Sequence, residues 1–237
     1  MLVIKIKNIY LYTIIIAFLT SGILLFSFKN KIATVFSTSI TNKVIIIDAG
    51  HGGVDSGAIS NDAIEKELNL QIATKLQAFL EEGGATVVLT RNEDKSLQNP
   101  NRNKKISAKK SDLLERKRIM DESNADIFVS IHMNKYINSC YKGSQVFYSN
   151  NANSKILGET IQTSLAETFK DNNNRKSKQL TEGVFLLKKA TIPSVIVECG
   201  FLSNPDEAKK LKNEIYQRKI AWAINLGIMN YFLNFKK

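Results

Sequence analysis

Val44-Ile45-Ile46-Ile47-Asp48-Ala49-Gly50-His51-Gly52-Gly53 is the stretch on which the reading of this chain turns. Four β-branched residues in a row predict a strand buried on both faces, as in parallel sheets covered by helices. The strand runs into three glycines that surround one imidazole. Glycine lets the chain turn sharply and lets backbone approach a ligand closely. His51 is therefore expected at the carboxyl end of a buried strand, where open α/β sheets place their sites. The other histidine of the chain, His132, closes a second strand-like run, Asp126-Ile127-Phe128-Val129-Ser130-Ile131. Two histidines, each ending its own buried strand, point to a shared site rather than to two surface turns.

The elements around these strands alternate. Residues 65–82 predict an amphipathic helix with Leu68, Ile72, Leu76, Phe79 and Leu80 on one face, stopped by Gly83-Gly84. Residues 85–90 predict a strand, and 92–110 a long polar loop of the kind that carries function. Asp112 is expected to open the next helix, with Glu115 at capping-box spacing. Strands are expected at 144–149 and 183–187, with a helix at 154–170 and an Asn- and Lys-rich turn at 171–179 between them. A buried strand at 194–197 then delivers Glu198. Asn204-Pro205 starts a helix with a cap and an N1 proline, and the last helix spans 214–235. The pattern predicts a single α/β catalytic domain: three αβα layers around a mixed, mostly parallel sheet of about six strands.

The N-terminus is of another kind. Residues 9–28 form an apolar run without a formal charge, and about 20 such residues span a bilayer. The run is long for a signal-peptide core and no small-residue cleavage site follows closely, so a signal anchor is favoured over a signal peptide for residues 1–28. Lys5 and Lys7 precede the run and Lys29 and Lys31 follow it, so flanking charge does not orient it. Residues 29–42 read as a linker and 43–237 as an exported domain. Net charge is +11, much of it between residues 91 and 118. That charge suits an anionic polymer or membrane; nucleic acid is disfavoured by the N-terminal segment and by the lack of aromatics among the basic residues of 92–118. Cys140 and Cys199 could pair in an oxidising compartment, although their spacing does not require it. Cys199, beside Glu198, also reads as a small buried residue.

The strand ends collect His51, His132 and Glu198, and Glu65 starts the first helix. Two neutral imidazoles, one carboxylate and an open position make a hydrolytic zinc site, with a further glutamate available as general base. The set lacks the short helical signature of the zincins, so residue types alone leave a metal site and a structural polar cluster both open.

The runs IIIDAGHGGVDSGA (45–58), Glu65-Lys66, SIHMN (130–134) and VECGFLSN (197–204) together resemble the zinc-dependent N-acetylmuramoyl-L-alanine amidases of bacterial cell walls. The resemblance covers residues 43–235. KSDLLERKRI (110–119), GSQVFYS (143–149), the turn ending NRKSK and YQRKIAWAINLGI (216–228) are similar to the sporulation-specific, CwlD-type branch. The resemblance implies zinc on His51, Glu65 and His132, with Glu198 as catalytic base. The Glu-Lys pair selects Glu65 over Glu67. It further implies hydrolysis of the lactyl–L-alanine amide of peptidoglycan. In the spore branch this strips stem peptides from cortex muramic acid ahead of muramic-δ-lactam formation. Localisation is then the cortex side of the forespore envelope, with the N-terminal segment on the membrane and an accessory or activating protein as a partner. Asp48 and Asp55 are candidates to orient the imidazoles or to serve as turn and cap residues. Asn134 is a candidate for substrate contact or for a local turn, and Arg91 for a structural role. The alternative function is a non-catalytic peptidoglycan-binding scaffold of the same fold.

The basic segment generates a first expectation. Exposed charges act over about a Debye length and are screened by salt. Neutralising Lys104, Lys105, Lys109 and Lys110 together is expected to raise KM on intact peptidoglycan and to flatten its salt dependence. Unchanged salt dependence in a turnover assay would mark the segment as an ordinary solvated loop.

Overall fold

The structure, a computed structural model, describes residues 16–22, 38–103, 105–171, 173–180 and 184–234. The chain divides into two units, Met1–Thr38 and Ser39–Lys237. In the first, 16–22 are helical (α1) and exposed. The rest of the expected membrane segment, and most of the linker, lie outside the described residues. Among the described residues no helix is long and apolar enough to cross a membrane.

The second unit is the α/β layer structure expected. Its sheet has six strands: β1 (Val44–Ala49), β4 (Thr86–Leu89), β5 (Ile127–Asn134), β6 (Gln145–Tyr148), β7 (Lys178–Gln179) and β8 (Ser194–Phe201). Their order is β4-β1-β5-β8-β6-β7. Only the β6–β8 pairing is antiparallel. Helices α2 (Glu65–Glu82), α4 (Ala152–Phe169) and α7 (Glu214–Asn234) cover one face, while α3 (Ala108–Glu122) and the short α5 (Phe185–Lys188) pack on the other. Helix α6 (Pro205–Leu211) follows β8, capped by Asn204, whose side chain accepts from Glu207 N at 3.0 Å.

Period-two alternation explains which side chains meet. Ile45, Ile47 and Ala49 of β1 join Ile127, Val129 and Ile131 of β5 and Val195, Val197 and Cys199 of β8 in the larger core. Leu68, Ile72, Leu76 and Leu80 of α2 close over it, as their helical spacing predicts. The opposite parity sends Ile46 and Phe128 toward Met120 of α3 and Leu186 of α5. Asp48, Ser130, His132 and Glu198 share that parity further along the same strands. Because β1, β5 and β8 run parallel, these polar side chains gather at one carboxyl edge.

Three local expectations are corrected, and one small element is added. Helix α3 begins at Ala108, not at Asp112; Ser107 is its cap, accepting from Lys110 N at 3.2 Å. Asp112 is occupied elsewhere: its carboxylate accepts from Leu97 N at 2.7 Å and from Arg116 Nε at 2.6 Å. The expected strand at 183–187 is a helical turn over Phe185–Lys188, because a four-residue apolar run has no period that separates strand from helix. The polar 171–179 turn yields edge strand β7 at its end. A hairpin of β2 (Ile59–Ser60) and β3 (Ala63–Ile64) precedes α2 and was not anticipated. Cys199 is buried and Cys140 exposed, and both thiols are free.

A buried ion pair ties the layers together. Arg116 of α3 is 2% exposed and places Nη1 on Asp48 Oδ1. Ser130 and Thr90 hydroxyls donate to the same carboxylate at 2.5 and 2.8 Å. Burial alone would raise the Asp48 carboxyl; the Arg116 charge and these hydrogen bonds outweigh it and hold it below the usual range. A carboxyl depressed in the folded state contributes stability that is complete above about pH 4 and is lost as pH falls through the folded-state value. Removing one partner of a buried pair costs about 3–5 kcal/mol. Arg116→Met is expected to lose stability on that scale in urea unfolding at pH 7, and Asp48→Asn/Arg116→Met to recover part of it. Equal stability of Arg116→Met and wild type would show the pair to be energetically neutral.

Candidate active site

The glycine-rich turn after β1 holds His51 in the left-handed region, at φ 61°. Its Nδ1 is 3.0 Å from Asp55 Oδ2 and its Nε2 3.2 Å from Glu65 Oε1. Asp55 thus fixes the ring, one of the two roles open to it in the sequence. His132, from β5, brings Nδ1 to 2.9 Å from the same Glu65 Oε1. Glu65 opens α2 and is buried, whereas Glu67 is exposed. Backbone amides orient the Glu65 carboxylate: Met133 N donates to Oε1 at 3.1 Å and Ala58 N to Oε2 at 2.7 Å. One donor atom from each of His51, Glu65 and His132 lies within 4.8 Å of the others.

Two glycines make the cluster possible. A Cβ on Gly50 would sit 2.3 Å from the His132 ring. A Cβ on Gly57 would meet Glu65 Oε2 at 2.6 Å and His51 Cδ2 at 2.7 Å. The glycines clear the space in which the three donors converge.

Glu198 is the register partner of His132 across the β5–β8 ladder. It lines the same cleft, and its Oε2 is buried without a hydrogen-bond partner among the described residues. Burial pushes its carboxyl up to about 7, with Glu65 adding to the rise and the two histidines opposing it. Glu65 behaves in the opposite way. Burial acts to raise it, but hydrogen bonds from His132 and His51 hold it far below the usual carboxylate range. Burial likewise acts to lower His51, and its contacts with Glu65 and Asp55 outweigh that and raise it.

The residues present fit a divalent metal. The donor set combines two imidazoles with a carboxylate that stays ionised, at mutual distances one ion can bridge. The orphaned Glu198 oxygen beside it is the kind of buried polar atom that calls for a partner.

Other candidates take different places. Asp48 does not reach either imidazole; Arg116, Ser130 and Thr90 claim its carboxylate. Arg91 is structural: its guanidinium donates to Ala49 O at 2.9 Å, Gly50 O at 3.0 Å and Lys66 O at 2.7 Å. Asn134 accepts from Leu202 N at 2.8 Å through its backbone carbonyl. Sequence reasoning missed Arg116 and Asn69. Arg116 Nη2 donates to His51 O at 2.7 Å, and Asn69 Nδ2 to Gly50 O at 3.0 Å. A signal for Arg116 existed: Asp48 in an otherwise apolar strand requires a buried cation or strong donors.

Comparison with known proteins adds a decisive match. The profile of the N-acetylmuramoyl-L-alanine amidase family, Amidase_3, matches residues 45–230. The chain belongs to this family. It is 36% identical over 217 residues to the germination-specific N-acetylmuramoyl-L-alanine amidase of Bacillus subtilis, covering 89% of this chain and 90% of that one. Among solved structures, the CwlD amidase of Clostridioides difficile, in complex with the GerS lipoprotein, superposes with a TM-score of 0.77 at 44% identity. That match covers 81% of this chain and all of the other. The catalytic domain of the amidase CwlV from Paenibacillus polymyxa matches at 0.68 and 30% identity, covering 80% of this chain and 97% of that domain. The chain is thus an N-acetylmuramoyl-L-alanine amidase of α/β fold, acting on peptidoglycan.

The close approach at Gly50 predicts a specific defect in this amidase. Gly50→Ala forces the His132 ring away, and a displacement of about 1 Å at a reacting centre costs about 10²-fold in rate. Activity on peptidoglycan is expected to fall by about that factor while far-UV circular dichroism stays unchanged. Wild-type turnover would show that the cluster tolerates a shifted His132.

Proposed function

We infer that the amidase is zinc-dependent, with His51, Glu65 and His132 as ligands and Glu198 as the catalytic base. The observation that carries this is the convergence of the three donors beside a buried glutamate that lacks a partner. Two imidazoles and one carboxylate are a donor set typical of hydrolytic zinc. When bound, such an ion supplies Lewis acidity, stabilising oxyanion charge and lowering the pKa of water beside it toward about 7.

The chain's own residues do the remaining work. Asp55 holds His51 by Nδ1, and the Met133 and Ala58 amides hold Glu65, so the donors are oriented in advance. Glu198 takes a proton from the attacking water on its carboxylate. It then delivers that proton to the amide nitrogen, which leaves as the amine of L-alanine. Val184, Phe185, Leu186 and Leu113 give the cleft an apolar lining.

The relatives support a biological setting. Similarity to a germination-specific amidase supports action on spore cortex, where removal of stem peptides precedes muramic-δ-lactam formation. The complex of the Clostridioides difficile relative with a lipoprotein supports an accessory protein for this chain also. Residues 1–28 as a membrane anchor or signal, 29–42 as linker and 43–237 as the exported domain place the enzyme on the wall side of the membrane. A non-catalytic scaffold is disfavoured because all four proposed positions carry functional side chains.

Zinc analysis of the purified protein, with mass spectrometry of digested cortex peptidoglycan, tests the reading. Free stem peptides beginning with L-alanine and about one zinc per chain are expected. His132→Ala is expected to lose the metal and the activity. Glu198→Ala is expected to keep the metal and bind peptidoglycan while activity falls on the order of 10² or more. Loss of zinc from Glu198→Ala would place Glu198 among the ligands instead.

A further inference from the structure

The cleft beside His51, His132 and Glu198 is lined by apolar side chains, Phe185 and Leu186 among them, and by the charged pair Asp55 and Lys109. Four carboxylates line the cleft: Asp48, Asp55, Asp112 and Glu198. Its cationic residues are Arg116 and Lys109. Arg116 is buried and fully committed, to Asp48, Asp112, Ala49 O and His51 O. Nearby Lys66 is also committed, donating to Gly53 O at 2.8 Å and Asp94 Oδ2 at 2.6 Å.

Lys109 stands apart. Its side chain is 69% exposed, and its ammonium lies 3.8 Å from Asp55 Oδ2, the outer limit of an ion pair. That same oxygen is 3.0 Å from His51 Nδ1, so the ammonium is within about 7 Å of Nδ1, and the cluster-facing Nε2 lies one ring width beyond. An extended peptide advances about 3.5 Å per residue. A group on the second residue of a stem peptide therefore comes within reach of Lys109 when the first residue's amide lies at the metal cluster.

We propose that Lys109 is a positioning and specificity residue whose ammonium receives the free carboxylate on the second residue of the stem peptide. The assignment rests on the amidase reading and extends it to the substrate's charge. Without this cation, a carboxylate on that flank of the cleft would face Asp55, and like charges there would oppose binding.

The test compares two purified muropeptides that differ in one group, a free carboxylate or a carboxamide on the second residue. An exposed ion pair supports only a modest preference, up to about fivefold. Wild-type enzyme is expected to favour the carboxylate form by about that factor in kcat/KM. Lys109→Gln is expected to lose the preference through a higher KM for the carboxylate form, and Lys109→Arg to retain it. An undiminished preference in Lys109→Gln, or an equal loss on both muropeptides, would overturn the assignment. Wild-type enzyme that cleaves neither muropeptide would overturn the amidase reading, and the Lys109 assignment with it.

Discussion

Beyond Ala49 the β1 backbone leaves the sheet, and its carbonyls lose their ladder partners. A buried carbonyl without a donor is costly, so the turn that carries His51 stands only if donors reach it. Two guanidiniums from different layers provide them. Arg91 binds Ala49 O and Gly50 O, and Arg116 binds Ala49 O and His51 O. Asn69 adds a second donor to Gly50 O. A planar, always-charged group with several fixed donors suits this task better than lysine would. Asp48 neutralises Arg116 from within the same strand, so the structure that supports the turn also supplies its counter-charge.

That support lets two glutamates in one cleft behave oppositely. Glu65 accepts from two backbone amides and leans on both imidazoles, and it stays ionised. Glu198, the register partner of His132, is buried, its Oε2 has no hydrogen-bond partner among the described residues, and burial raises its carboxyl. Environment, not residue type, separates the proposed ligand from the proposed base. The parallel register aligns His132 with Glu198, so neither role requires a strained side chain or a long loop.

Much of this was legible in the sequence because the decisive signals are local. β-Branched runs announced β1, β5 and β8, and a helical stripe announced α2 to its last residue. Asn204-Pro205 announced the cap of α6. Helix α3 was misplaced because two short polar residues, Ser107 and Asp112, both satisfy cap chemistry. Only the loop before α3 determines that Asp112 turns back to Leu97; its contact with Arg116 is an i,i+4 pair within α3. Hairpin β2–β3 and edge strand β7 each have two residues per strand, too few for any period to register.

The sequence by itself determined the fold class, the strand-end histidines and the residue types of the cluster, since these follow from alternation, glycine and turn chemistry. The family resemblance singled out Glu65, but only tertiary structure gives the physical reason why that carboxylate and Asp55 meet the imidazoles while Glu67 and Asp48 do not. Glu65 and Glu67 are two positions apart on one helix, and burial of one against β5 separates them. Asp48 and Asp55 look alike in sequence, yet strand parity turns Asp48 toward Arg116, while a tight turn brings Asp55 to His51 Nδ1. Asp48 with Arg116 and Glu65 with His132 are each more than sixty residues apart, and no local pattern encodes such distances; Asp55 is only four residues from His51, but the turn that joins them stands on the same long-range support.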